Sequence, residues 1–407
     1  MTYVGNIGFR DSPALDAFGR LRTSEPLTLF DSKQIQDNQP LFWDEALVSG
    51  AGITSSWSKA RASTTITSTV NTAGTFTRQT FMRFNYQPGK SQLVAMTGIL
   101  DRSGGGLGVR RRLGYFDDDN GLFFEMEAGT VRVVRRSSVS GSPVDEEFDQ
   151  PAWNLDPMDG TGPSGVTIDW TKAQIFAMDF EWLGVGRVRW GLYIRGAPVY
   201  VHEYNAANAI TGVYMSTPNL PLRYQMVTTA ASPASSMECI CASVATEGGA
   251  QELGQLRTQS SGTTDCIAAV DGTIYAVVGI RIKAANVGAD INLVNGALLE
   301  TAGNKSLEWL LLLNPTVGGT FTYTGITDSS VEGAVGDGTQ TVTGGIEVAG
   351  GYFTSGTKGG SVGGALTNAI RLGTAIDGTA DEMVLCARPL DSTNCDVHGS
   401  LNWRESP

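Results

Sequence analysis

Strand-and-turn signals fill this sequence, and almost no chemistry is attached to them. Asn120-Gly121 is the strongest hairpin signal, with short apolar/polar strand patterns over 110–116 and 122–126 on either side. Similar patterns recur to the C-terminus. Only two histidines, His202 and His398, occur in 407 residues. A large β-protein this poor in general bases and metal ligands is built to assemble or bind rather than to catalyse.

Composition agrees. Apolar residues make up 41% and charged residues 17%, with 51 glycines, which suits closely packed β-structure with many turns. A net charge of −12 argues against nucleic acid as a partner, since that needs a basic face. One basic cluster exists, Arg110, Arg111 and Arg112 with Arg132, Arg135 and Arg136. It reads as a cross-strand patch paired with Asp117, Asp118, Asp119, Glu125 and Glu127 of the same hairpin. The five cysteines (Cys239, Cys241, Cys266, Cys386 and Cys395) are odd in number and lack a CxxC pair. They read as free thiols of a chain folded in a reducing cytosol, with no metal. Residues 1–10 lack the pattern of a signal peptide, and no apolar run approaches the roughly 18 residues of a membrane span.

The expected fold is all-β: two antiparallel β-sandwich, jelly-roll-like domains behind an extended N-terminal arm. The arm is residues 1–50, where Pro13, Pro26 and Pro40 punctuate apolar anchors such as Phe18, Leu21 and Phe30. Those anchors must bury against the chain's own core or a neighbouring subunit. Residues 51–246 form the first sandwich, with strands at 63–69, 76–86, 110–116, 122–126, 131–136, 175–182, 187–194 and 199–204. Residues 247–270 read as a linker. Residues 271–407 form the second sandwich, with strands at 274–282, 306–313, 320–323, 340–348, 370–374, 383–387 and 396–404.

The motifs that could carry chemistry fall short. Gly104 to Gly108 is followed by Val109-Arg110 rather than the Lys-Ser/Thr of a phosphate loop. Asp117 to Gly121 resembles a calcium loop, but position twelve is Ala128, not glutamate. Carboxylate pairs such as Asp44-Glu45 read as acidic surface turns. His202 and His398 read as structural. Trp182 and Trp190 read as core. Trp153, beside Pro151 and Asp156, is the least obviously buried and is a candidate sugar-stacking residue.

Asp16-Ala17-Phe18-Gly19-Arg20-Leu21-Arg22, Leu29-Phe30-Asp31-Ser32-Lys33 and Asp37 to Phe42 resemble the N-terminus of a family of tailed-bacteriophage virion structural proteins. Trp153 to Asp156, Asp159 to Gly165, Trp182 to Arg189, Met215 to Pro221, Leu310 to Pro315 and Leu401 to Glu405 resemble it too. The resemblance implies a virion component assembled in the host cytoplasm, with no catalytic residues, cofactor or metal to carry over. The expected function is a non-enzymatic tail appendage or fibre component. It would form homo-oligomers, a trimer among them, and dock on other virion proteins through Phe18, Arg20, Leu21, Arg22 and Phe30. Arg20 and Arg22 would meet a partner's carboxylates. A capsid-decorating protein is the alternative. A module binding host surface glycan through Trp153 is a further one, and a polysaccharide-degrading enzyme is the least favoured.

Overall fold

A computed structural model describes residues 25–103, 106–249, 254–301, 305–353, 359–363, 371–390 and 394–406. Those residues are all-β, and the helical content among them is two 3-10 turns, Gln150–Ala152 and Ala284–Asn286. Among the described residues no helix is long and apolar enough to cross a membrane.

Two sandwiches account for all the described strands except a short two-stranded ribbon, Thr316–Val317 with Val342–Thr343. In the first, one sheet runs in the order Ala197–Asn205, Arg187–Ile194, Gln174–Phe180, Ser91–Ser103, Ser235–Glu247, Ser63–Ser68, Ile53–Ser58. Pro26–Lys33 pairs with the far half of Ser235–Glu247. The facing sheet runs Val144–Asp149, Thr130–Ser137, Gly121–Glu127, Val109–Phe116, Leu222–Thr228, Gly74–Thr80, Trp43–Gly50. Period-two burial builds the layer between them. Along Ser91–Ser103, Val94, Met96 and Leu100 point inward against Leu113, Tyr224 and Met226 of the other sheet.

The second sandwich stacks a five-stranded sheet centred on Cys395–Ser406 and Asp290–Glu300 against a six-stranded one centred on Tyr275–Ile282 and Glu382–Pro389. Cys395–Ser406 alternates buried and half-buried over its whole length, and Val397, Leu401 and Trp403 enter the core.

Several sequence expectations need correction. The stretch 26–50 is not an arm. Pro26–Lys33 and Trp43–Gly50 are strands of opposite sheets of the first sandwich, so this stretch ties the two layers together. Residues 1–24, with Phe18, Arg20, Leu21 and Arg22, lie outside the described residues. The expected linker 247–270 contains two strands, Gln255–Ser260 and Cys266–Ala268, both paired with Cys395–Ser406. The expected strand 76–86 ends at Thr80, where the Thr80 hydroxyl donates to the Met82 carbonyl and the chain leaves the ladder. The Asn120-Gly121 hairpin forms with Phe116 opposite Gly121. Its loop is longer than a two-residue turn: Asp117 Oδ1 accepts the N–H groups of Asp119 (2.9 Å) and Asn120 (2.8 Å). At position 121 a Cβ would lie 2.0 Å from Phe116 Cβ, so only glycine fits.

Bonds between the sandwiches come mostly from the 371–381 loop. Thr374 N–H donates to the Phe81 carbonyl at 3.1 Å, and Ile376 N–H donates to Asp44 Oδ2 at 2.8 Å. Gly373 sits so close that a Cβ there would be 2.2 Å from the Phe81 oxygen. Asn219 adds a bond from its side-chain amide to the Gly288 carbonyl, 2.9 Å.

Candidate functional site

Two surfaces could do something beyond folding. The first is the outer face of the seven-stranded sheet. Register places Asp149, Arg132, Glu125, Arg112, Gln225 and Thr77 in one row across six strands. Neighbours in the row bond to each other: Asp149–Arg132 at 3.0 Å, Arg132–Glu125 at 3.2 Å, Arg112–Glu125 at 2.6 Å and Arg112–Gln225 at 3.0 Å. Gln225 then donates to Thr77 at 3.2 Å. Beside the row, Phe116 and Phe123 pack at 4.4 Å, and Arg136 and Arg223 lie over Phe116 while Arg112 lies over Phe123. The expected cross-strand patch is largely this ladder, although Arg111 faces inward and pairs with Asp101 at 2.8 Å. At its end Asp117 bonds Arg83 at 2.6 Å. Burial alone would raise the Asp117 carboxyl, but Arg83 and the loop N–H groups hold it below the usual range. Each charge of the row is used by a neighbour, which leaves little for a ligand.

The second surface is apolar. A pocket of about 240 Å³ opens between the sandwiches, lined by Phe30, Leu41, Phe42, Met82, Leu313 and Ile346. Phe30 is 6% exposed, with its ring edge-on to Phe42 at 6.0 Å and Trp43 at 6.2 Å. Leu41 and Phe42 stand at 61% and 45% exposure, unusual for side chains this size. Asp381 and Asn314 of the polar rim are bonded within the chain. Asp381 accepts from the Asn314 side chain at 2.7 Å and from Gly373 N–H at 2.9 Å, and Arg371 pairs with Asp290 at 3.5 Å. Burial pushes the Asp381 carboxyl up. Asn314, in the left-handed region at φ 50°, also accepts from Glu382 N–H at 2.8 Å, which explains the Asn of the Leu310–Pro315 motif.

Trp153 is not at a surface. It is 5% exposed, edge-on to Phe124 and Trp170, and its indole N–H donates to the Phe148 carbonyl at 2.9 Å. A ring enclosed in this way cannot stack on a sugar, so the glycan-stacking expectation for Trp153 is corrected. Of the assembly residues, Phe30 alone is described, and it belongs to this chain's own core while lining the pocket. His202 is buried against Phe148 and accepts from Asn154 N–H at 3.2 Å, and burial lowers its pKa, as a structural histidine requires. Burial pushes the Cys239 and Cys266 thiols up to about 12, which disfavours the thiolate.

The fold gathers one cluster that spacing did not reveal. His398 Nε2 meets Asp265 Oδ1 at 2.7 Å, and Nδ1 lies 3.5 Å from Ser261 Oγ. Yet Ser261 is 5% exposed and its Oγ accepts Gly399 N–H at 3.1 Å, so the hydroxyl is held in the backbone rather than presented. A wide hollow lined by Gln255, Asn286 and Asp328 contains Glu405, whose carboxylate is taken by Ser329, Ser330 and Trp403. The glycine-rich motif at 159–165 is a loop lock. Asp156 accepts Met158 and Ser164 N–H groups at 2.8 Å each, and a Cβ at Gly162 would fall 2.3 Å from its Oδ1.

No family profile and no curated protein matches this chain. Among solved structures, an endo-1,3-beta-glucanase from Streptomyces sioyaensis is 10% identical, with a TM-score of 0.38 over 56% of this chain and 99% of that one. A legume lectin-like domain from Entamoeba histolytica is 7% identical at TM-score 0.33, over 53% and 95%. The CBM2 module of the evolved Dit of Lactobacillus casei BL23 phage J-1 is 7% identical at TM-score 0.35, over 56% and 100%. At such overlap and identity these likenesses carry no argument about function.

Proposed function

We propose that the protein is a non-enzymatic structural component of a tailed-phage virion, a tail appendage or fibre component that oligomerises and docks through its N-terminal segment. The motifs spread from residue 16 to residue 405 support the virion assignment. One observation carries the docking role. The segment entering at Pro26 is stitched into one sheet by Pro26–Lys33 and into the other by Trp43–Gly50, beside an open apolar pocket. Load on residues 1–24 would pass into both layers of the sandwich. Exposed Leu41 and Phe42 supply apolar area for a partner, and many such contacts add by multivalency. The internally satisfied polar clusters fit a scaffold better than an enzyme.

Quantitative mass spectrometry of purified particles, counted against the major capsid protein, tests this. Copies far below the shell protein support a tail position. Copies comparable to it favour capsid decoration instead, and absence from particles sinks the virion reading.

A further inference from the structure

The interdomain pocket calls for an occupant with particular properties. At about 240 Å³ it falls below the roughly 300–1,000 Å³ of sites for drug-sized ligands, so it suits an anchoring side chain or two. Asp381 and Asn314 at its rim are already hydrogen-bonded, so an apolar occupant leaves neither of them unpaired. Half-buried Asp44 gives one side of the junction acidic character, whereas Asp381 is buried with both oxygens bonded and the neighbouring cation Arg371 is paired with Asp290.

The chain itself contains a matching segment. Residues 16–22 place the apolar Phe18 and Leu21 next to Arg20 and Arg22, in a protein of net charge −12. We propose that Phe18 and Leu21 of one copy seat in this pocket on a second copy, with Arg20 and Arg22 facing Asp44. This deepens the assembly reading above and rests on it, by naming the receptor for the N-terminal segment.

Reach favours a second copy. Pro26 pairs with Glu247, and Phe30 lies four residues further along the strand, about 13 Å on. A hairpin folded back within one chain would bring Phe18 level with Leu29 and leave Leu21 level with Pro26. Both anchors can share one pocket when they arrive from another molecule.

The test uses the full-length protein with p-benzoylphenylalanine replacing Phe18, or Leu21 in a second preparation. Equal amounts of ¹⁴N- and ¹⁵N-labelled chains are mixed, irradiated and mapped by mass spectrometry. Mixed-isotope crosslinks to Leu41, Phe42, Met82 or Ile346 are expected. They should fall at least tenfold with Ile346→Glu, a rim change at a part-exposed position, and persist with Leu107→Glu, a control at a highly exposed site elsewhere. Crosslinks within single chains, crosslinks to other surfaces, or none would each overturn the proposal. The result is independent of virion placement. Pocket crosslinks with no protein in particles would sink the virion reading and leave this one standing, and the reverse pattern would do the opposite.

Discussion

The ladder face and the interdomain pocket sit at opposite ends of one physical scale. On the ladder face, Glu125 and Arg112 are nearly as buried as core residues although no other described sheet covers them, because long side chains lie flat and bond one another. In the pocket, the large apolar side chains of Leu41 and Phe42 stay exposed. A charged surface that satisfies itself is finished. An apolar surface that does not close is unfinished, and a second molecule can complete it. On the ladder face charge supports the fold, and at the pocket exposed carbon is the basis of the proposed contact.

Substitutions can break this contrast. The largest effect is expected from Arg112→Ala, which strips Glu125 of its shortest ion pair while leaving it buried. Unfolding by urea should show a loss of about 3 kcal/mol, and replacing both partners with apolar residues should recover much of it. Next comes Gly373→Val, whose side chain would meet the Phe81 carbonyl. It should cost about 2 kcal/mol and expose the 371–381 loop to limited proteolysis.

A pH series should separate the two surfaces by sign. Asp117, with its folded pKa held down, contributes stability above its unfolded value of about 3.9 and loses it as pH falls through the folded value. Asp381, with its folded pKa raised, contributes most at low pH and loses that contribution as pH rises through the folded value. Hence Asp117→Asn should cost more at pH 7 than at pH 3, and Asp381→Asn less. Equal costs at both pH values for either variant would contradict its assignment. The smallest stability effect is expected at the pocket mouth, where Phe42→Glu should change unfolding by under about 0.5 kcal/mol.

The sequence exposed the first surface better than the second, for a physical reason. Arg110 to Arg112 and Glu125 to Glu127 flank one hairpin, so local register alone pairs Arg110 with Glu127 and Arg112 with Glu125. The pocket draws on residues near 30–42, 81–82 and 313–346, from both sandwiches, and no local pattern joins them. Pro26 and Pro40 suggested an irregular arm, yet a proline is tolerated at the first residue of an edge strand, which is where Pro26 sits. Gln255–Ser260 looked like a linker because it is a polar edge strand with little buried surface to set a hydrophobic alternation. Trp153 reads as the least obviously buried tryptophan because it lies near Pro151 and Asp156, while its neighbours in space are Phe124 and Trp170.

The most direct measurement is incorporation of the Phe42→Glu chain into particles, in a phage background whose own copy is deleted, counted by mass spectrometry beside wild type. With unfolding unchanged, the expected result is that the variant is missing from particles or reduced at least tenfold. A folded variant present at the wild-type copy number would contradict the claim that the open apolar pocket is where this protein assembles.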